Sequence, residues 1–487
     1  MENTARTPTQ DTQRQRNDRK KARQDAGTGL AVAREAMRKF PHDPKRQMAH
    51  FLARVDLNAW TGRRREVSEK TRHEMGDSLL RAIREVRECR MPVRNLTDLG
   101  QPHALALLQR WKQAGQSAST IQTKLSFLRK FLTLIGKPQA IPRGGELYKL
   151  LEQKGVDTEG LTRSKVLVES KTWESLGIDP GELIRKVAEQ DLLVAIQLEL
   201  QWAFGLRVME TLQIEPSVSD EGSKLVVLRG AKGGRPRTVD FDLDPATAEW
   251  QRDVLERAKK IAQRHPKRRL ALPGLTLEQS RNRFYYVVRQ FGITQKELGV
   301  TSHGLRHQFA ARRFEALAGL PTMASGQAPM AEYRSKAQEV EQAQLDVSQQ
   351  LGHWRKDVTS SYLGSVGMLG RESQKRMRSW LELVEGNPLV VQALSQAGVK
   401  EAWIGGRAAM GLPLAPSEKL TLVVRMDRGP DTQERMDELA SRLNKRIARG
   451  VDLMLRSQPG VPADGLEILL RGSSAGEKTK EAVHVGA

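Results

Sequence analysis

Apolar residues recur at three- and four-residue spacing through most of this chain, so its elements are chiefly helices. The clearest is Ser119 to Ile135, where Ile121, Leu125, Leu128, Leu132 and Ile135 form one stripe. Ser119 or Thr120 is the expected cap, and Gly136 the expected stop. The helical pattern covers about 62 to 135, and residues 29 to 60 are helical in part, broken at Pro41 and Pro44. Pro142, Gly144 and Gly145 open a polar linker that reaches about residue 175. From Asp191 to Leu212 the chain is apolar on most sides, which predicts one long buried helix. After Pro216, two β-rich runs, Lys224 to Leu228 and Arg237 to Leu243, flank Ala231-Lys232-Gly233-Gly234 and read as a hairpin with Lys232 at its tip. Further helices are expected at Leu277 to Phe291 and Arg371 to Glu385, the latter carrying Met377, Trp380, Leu381 and Val384. The last hundred residues predict strands at Lys419 to Arg425 and Leu466 to Leu470, with a helix from Thr432 to Arg449. The fold class is thus mainly α with a small antiparallel β-sheet (α+β), followed by a small α/β C-terminal extension.

Charge narrows the partner. The 487 residues carry a formal charge of +22, spread along the whole length, which points to a polyanion and first to double-stranded DNA. No apolar run is long enough to span a bilayer and the N-terminus has no apolar h-region, so no membrane partner and a cytoplasmic location are expected. Residues 1–28 are Arg-, Lys- and Gln-rich with few large apolar side chains, and are read as a disordered basic arm. The polar face of the 119–135 helix presents Lys124, Arg129 and Lys130 as candidate DNA contacts, and Arg281 and Arg283 form a second basic face. A plain solvated face is the alternative for each. Cys89 is the sole cysteine and none of the nine histidines lies in an H-E-x-x-H pattern, so neither metal nor cofactor is expected.

Two distant segments carry the chemistry. In Ser302-His303-Gly304-Leu305-Arg306-His307, His303 and Arg306 are three apart and share a helical face, where a proton-transfer group and a fork of donors meet one phosphate. Leu351-Gly352-His353 is followed nine positions later by Tyr362, the candidate nucleophile. Arg207, in an apolar context, needs an anion or Glu210 to satisfy it. Arg207 and Arg306 would neutralise the non-bridging oxygens of a phosphodiester as the pentavalent state forms. His303 would accept the proton of the Tyr362 phenol, whose usual pKa is about 10, and Lys232 would protonate the departing 5′ oxygen.

Taken in order, Gly205-Leu206-Arg207 with Glu210, Lys232, His303-Gly304-Leu305-Arg306-His307, Leu351-Gly352-His353 and Tyr362 resemble the tyrosine recombinases, the phage-integrase family. The resemblance implies a catalytic domain at 175–385 behind a helical core-binding, DNA-binding domain at 29–170, with residues 388–487 as an accessory α/β domain. It implies that His353 helps hold the scissile phosphate, that His307 packs or orients the arginine helix, and that the bond energy is kept in a 3′-phosphotyrosyl link. It also implies a homotetramer on DNA, accessory DNA-bending or directionality factors, and a role in integrating or excising a mobile element. Two other functions remain open: DNA relaxation resembling a type IB topoisomerase, and a DNA-binding protein whose catalysis has lapsed.

Some features depart from the family pattern. Arg306 and His353 are 47 positions apart, longer than is usual, and the excess in Gly319 to about Gln344 is expected to form a loop and an extra surface helix. The helix after Tyr362 is expected either to pack on its own domain or to dock on an adjacent protomer. In the extension, Ile404 to Gly411 with Ser417-Glu418 and Val451-Asp452-Leu453 faintly resembles a minimal nucleotidyltransferase domain. There Glu418 and Asp452 would be metal ligands, but Leu420 stands where a carboxylate is needed. An accessory role in interaction or DNA contact is the expectation.

Overall fold

The computed structural model describes residues 29–55, 69–162, 166–230, 236–353, 356–456 and 466–468. The expected arm at 1–28, the Lys232 hairpin tip and residues 469–470 of the last expected strand lie outside them. The chain forms two compact units, Met1–Ser164 and Lys165–Ala487.

In the first unit, residues 29–39 are helical and are followed by α1 (Pro44–Arg54), α2 (Glu69–Glu88), α3 (Gln101–Gln113), α4 (Ala118–Leu134) and α5 (Gly145–Gln153). The predicted stripe of α4 is its core face: Ile121, Leu125, Leu128 and Leu132 are buried with Phe131, which meets Phe51 edge-on at 5.3 Å between ring centroids. Each such side chain contributes about 1.5–3 kcal/mol on burial. The cap is Ser117, whose hydroxyl accepts from the Thr120 backbone N–H, rather than Ser119 or Thr120.

The basic side chains of α4 expected as DNA contacts, with a solvated face as the alternative, pack against their own unit. Arg129 donates to the carbonyls of Ile141 and Pro142 at 2.8 and 3.0 Å, tying down the following loop. Lys130 is buried, and the Lys124 ammonium lies 4.6 Å from the Trp111 ring centroid. The exposed positions on this helix are instead Thr120, Thr123 and Ser126.

The second unit begins with α6 (Pro180–Gln190) and α7 (Leu192–Phe204). The single helix expected over 191–212 is two: α7 ends at Gly205, and α8 (Val208–Gln213) starts beyond Arg207. Gly205 has φ 58°, and a Cβ there would lie 2.5 Å from Phe309 Cδ1, so glycine is needed both for the left-handed turn and for the contact. Strands β1 (Lys224–Val227) and β2 (Arg237–Asp240) pair antiparallel, with Leu225 opposite Val239. Next come α9 (Pro245–Ala262), α10 (Leu277–Gln290) and α11 (His303–Ala318), then α12 (Met330–Ser335), α13 (Ala337–Gln350), α14 (Lys356–Leu363) and α15 (Val366–Glu385).

The segment expected as a surface insertion is partly core. Val340, Ala343 and Val347 of α13 and Tyr333 of α12 are buried in the same cluster as Phe309, Phe314 and Leu351. Helix α13 thus delivers the chain to Leu351-Gly352-His353 instead of decorating the surface.

The extension consists of α16 (Pro388–Gln396), β3 (Val399–Ile404), β4 (Leu420–Met426), α17 (Thr432–Asn444), β5 (Val451–Leu455) and β6 (Leu466–Ile468). Its sheet order is β5-β4-β3-β6; β4 and β5 are parallel and the other pairs antiparallel. Val384 of α15 is buried in its core, with Trp380 and Leu381 packed alongside, so the helix that follows the tyrosine packs within its own chain. The molecule is mainly α with small sheets, as the periodicity predicts.

Candidate active site

Two breaks in helical structure and one helix converge on α11. The turn at Gly205 presents Arg207, the end of α13 presents His353, and α14 carries Tyr362 back across α11. Arg306 is fully buried at their meeting point. Its Nη1 donates to the Gly205 carbonyl, Nη2 to the Leu351 carbonyl at 2.7 Å, and Nε to the Tyr362 hydroxyl at 3.3 Å. One planar fork therefore joins both breaks to the tyrosine helix.

Arg207 lies beside it, one-fifth exposed, with Nη1 donating to Glu210 Oε1 at 2.7 Å and Nη2 to the Leu351 carbonyl at 3.4 Å. The same Nη2 is 3.4 Å from His353 Nε2. Three imidazoles surround the phenol: the ring centroids of His307, His353 and His303 lie 4.7, 5.8 and 5.9 Å from that of Tyr362. The site thus brings together Arg207, His303, Arg306, His353 and Tyr362. Lys232 lies outside the described residues.

Electrostatics follow from burial and crowding of positive charge. Burial pushes the His303 imidazolium down, and Arg306, Arg207 and Lys171 push further, giving a pKa of about 4. Burial and His303 take His307 to about 3, and its Nδ1 has no hydrogen-bond partner among the described residues. Both rings are therefore neutral near pH 7, and a neutral imidazole can accept a proton. Burial alone would raise the Glu210 carboxyl, yet Arg237, Arg306 and Arg207 hold it down at about 2. One carboxylate among three guanidiniums leaves the cluster net positive, which suits an arriving phosphate.

Two groups went unnoticed in the sequence. Arg237 is almost wholly buried against Glu210, at 2.8 Å. The available signal was its register: on β2 it alternates inward with Val239, where a charge is out of place. Lys171, near the start of the second unit and exposed, adds positive charge beside His303 and His307.

The remaining candidates do not join this site. Arg281 pairs with Glu278 at 3.4 Å and Arg283 with Asp191 at 2.8 Å on α10, whose Tyr285 and Tyr286 are exposed. In the extension, Glu418 accepts from the Ala415 N–H at 3.0 Å and lies 3.7 Å from Arg407, while Asp452 lies 3.8 Å from Lys419. Among the described residues no group of three or more His, Cys, Asp or Glu side chains could hold a metal ion. No helix among them is long and apolar enough to cross a membrane.

Residues 179–312, which include Arg207, His303 and Arg306, match the model of the family described as Integrase. No curated protein sequence matches the chain. Among solved structures it is similar to a lambda integrase dimer bound to a COC′ core site, with 17% identity over 61% of this chain and 90% of that one and a TM-score of 0.38. It is also similar to the Tn1549 transposon integrase in complex with transposon right end DNA (16% identity, 64% and 95% covered, TM-score 0.36). A third is the XerH site-specific recombinase bound to palindromic difH substrate (14% identity, 69% and 84% covered, TM-score 0.37).

Proposed function

We propose that this chain, which carries an integrase-family segment of the tyrosine recombinase type, is a site-specific DNA recombinase that cuts and rejoins strands through Tyr362. The observation that carries the reading is the Arg306 fork, which bonds the Tyr362 hydroxyl and the backbone beside Arg207 and His353 at once. In the reaction, the phenol oxygen attacks the scissile phosphorus while neutral His303 takes its proton. Arg207 and Arg306 balance the added charge on the non-bridging oxygens. The P–O5′ bond breaks, Lys232 gives its proton to the departing 5′ oxygen, and the 3′ phosphate remains on Tyr362. Attack by another 5′ hydroxyl reverses these steps, so no ATP is consumed.

In this reading the substrate is double-stranded DNA, exchange occurs within a tetramer, and the event integrates or excises a mobile element. The strongly basic composition supports a DNA partner. The test is SDS-resistant capture of nicked fragments from a random DNA library by wild-type protein and Tyr362→Phe, with sequencing of the retained DNA. Capture that needs Tyr362 and enriches one site is expected. Equal capture by both proteins, or none by either, would remove the catalytic assignment. Pairwise joining of the enriched sites is expected from a recombinase, and supercoil relaxation without product exchange would indicate a topoisomerase instead.

A further inference from the structure

Beneath the two arginines of the site lies a third that neither the proposed chemistry nor the sequence motifs use. The Arg237 side chain is 2% exposed and bonds to groups that also hold Arg207 and Arg306. Its Nη2 donates to Glu210 Oε2 at 2.8 Å and to the Gly205 carbonyl at 3.3 Å, and its Nη1 donates to the Gln350 carbonyl. The acceptors are shared: Glu210 also binds Arg207, and the Gly205 carbonyl also binds Arg306. Gln350 immediately precedes Leu351, whose carbonyl takes bonds from both Arg207 and Arg306. Gly352 leaves room for the Arg237 stem, since a Cβ there would lie 2.7 Å from Arg237 Cδ.

Arg237 is not the sole counter-charge of Glu210, because Arg207 at 2.7 Å and Arg306 at 3.9 Å also face the carboxylate. A third guanidinium makes the cluster more positive and costs desolvation. What it adds is geometry. It is a rigid fork that locks the break before α8, the end of α13 and strand β2 to one another. Because β2 pairs with β1, the same fork anchors the paired strands on either side of the expected hairpin tip.

We propose that Arg237 is a positioning residue for phosphate binding and leaving-group protonation. Through Glu210 and the Gly205 carbonyl it sets the spacing of Arg207 and Arg306, and through β2 it fixes the base of the Lys232 hairpin. The proposal rests on the recombinase reading for its second half, while the first half concerns anion binding alone.

The test uses the full chain as wild type, Arg237→Met and Arg237→Lys. Orthovanadate affinity is measured by calorimetry. Covalent adduct formation is measured on cognate nicked DNA, with either oxygen or sulfur at the 5′ bridging position of the scissile phosphate. Sulfur leaves without needing a proton, so it bypasses the hairpin lysine. Arg237→Met is expected to weaken vanadate binding about tenfold and to slow adduct formation on ordinary DNA about a hundredfold, as for a lost charge-assisted contact. The sulfur substrate is expected to recover part of the rate without recovering vanadate affinity. Arg237→Lys should fall between, since one ammonium cannot span the three acceptor groups. A general loss of folding would depress both substrates equally. Vanadate affinity and adduct rate in Arg237→Met within about threefold of wild type, a factor too small for a lost buried contact, would overturn the proposal, as would a wild type that does not bind vanadate. If wild type binds vanadate but forms no adduct, the recombinase reading fails and the vanadate comparison still decides the role of Arg237. Should Arg237→Met not fold, unchanged vanadate affinity in Arg237→Lys would overturn the proposal.

Discussion

Arg306 donates from Nε to the Tyr362 hydroxyl at 3.3 Å, with the guanidinium fully buried and the phenol nearly so. The nucleophile therefore rests against the charge that would stabilise its oxyanion. Arg306→Lys keeps that charge and loses the fork, so the Gly205 and Leu351 carbonyls keep only their longer bonds from Arg237 and Arg207, at a total cost of about 1–3 kcal/mol. Single-turnover adduct formation should fall by about 100- to 1,000-fold, with a lower melting temperature for this unit. A near wild-type rate would mean that the contact is incidental.

Glu210 holds the arginine cluster together, so Glu210→Gln removes the one negative charge among three guanidiniums. Breaking a buried network in this way costs about 3–5 kcal/mol, measurable as a shift of the urea transition. The acid dependence gives a second readout. With a folded pKa of about 2 and an ordinary value of 4.5, Glu210 contributes stability that is present above about pH 4.5 and is lost as pH falls towards 2. The variant should show a shallower loss over that window, and an identical acid profile would sink the assignment.

His303 is displaced in the same direction for a different reason. Its folded pKa of about 4 lies below the ordinary 6.5, so the unfolded chain takes up the proton first and stability declines as pH falls from 6.5 towards 4. In the free enzyme the ring remains neutral throughout neutral pH. The second-order rate of adduct formation, which reports the free enzyme, should stay level from about pH 8 to about pH 5.5 if His303 is the base. An acid limb centred at 6.5 that persists in His303→Gln would point to a solvated histidine elsewhere and overturn the assignment, whereas a limb that begins only towards pH 4 and is lost in His303→Gln is expected.

How much of this was legible in the sequence depended on whether a local signal existed. The stripe of α4 was visible because its core face repeats with helical period, and Gly136 at φ 89° stops the helix where expected. The break at Gly205 was not, because α7 is apolar on every side and its periodicity cannot mark an end. The left-handed turn there leaves no room for a Cβ against Phe309, about a hundred positions away, and it is that turn which brings Arg207 to Arg306. The catalytic candidates were legible from their order alone, whereas Arg237 was hidden in a four-residue strand too short for its inward register to stand out. The surroundings of the basic candidates on α4 were hidden for a related reason. Whether Arg129 meets solvent or the carbonyls of Ile141 and Pro142 depends on where the next loop runs.

The tyrosine helix is braced by the two regions that lengthen this chain. Helix α14 passes through Gly364 and Ser365 into α15, whose Met368 and Leu369 are buried near the catalytic core and whose Val384 is buried in the core of the extension. Midway, Arg376 donates from Nε to the Gly411 carbonyl of the extension at 2.7 Å, and α12 rests on α15 where a Cβ at Gly370 would lie 2.8 Å from Met330 Sδ. The arm behind the nucleophile is therefore held at both ends and in the middle, so loosening the extension should loosen Tyr362. Val384→Ala removes a fully buried side chain shared by arm and extension, at about 2 kcal/mol, without touching the site. It is expected to slow adduct formation severalfold while leaving the affinity for DNA unchanged, and Arg376→Met should do the same by freeing the midpoint. If both variants cleave at the wild-type rate, the extension does not brace the nucleophile and its packing on α15 serves stability alone.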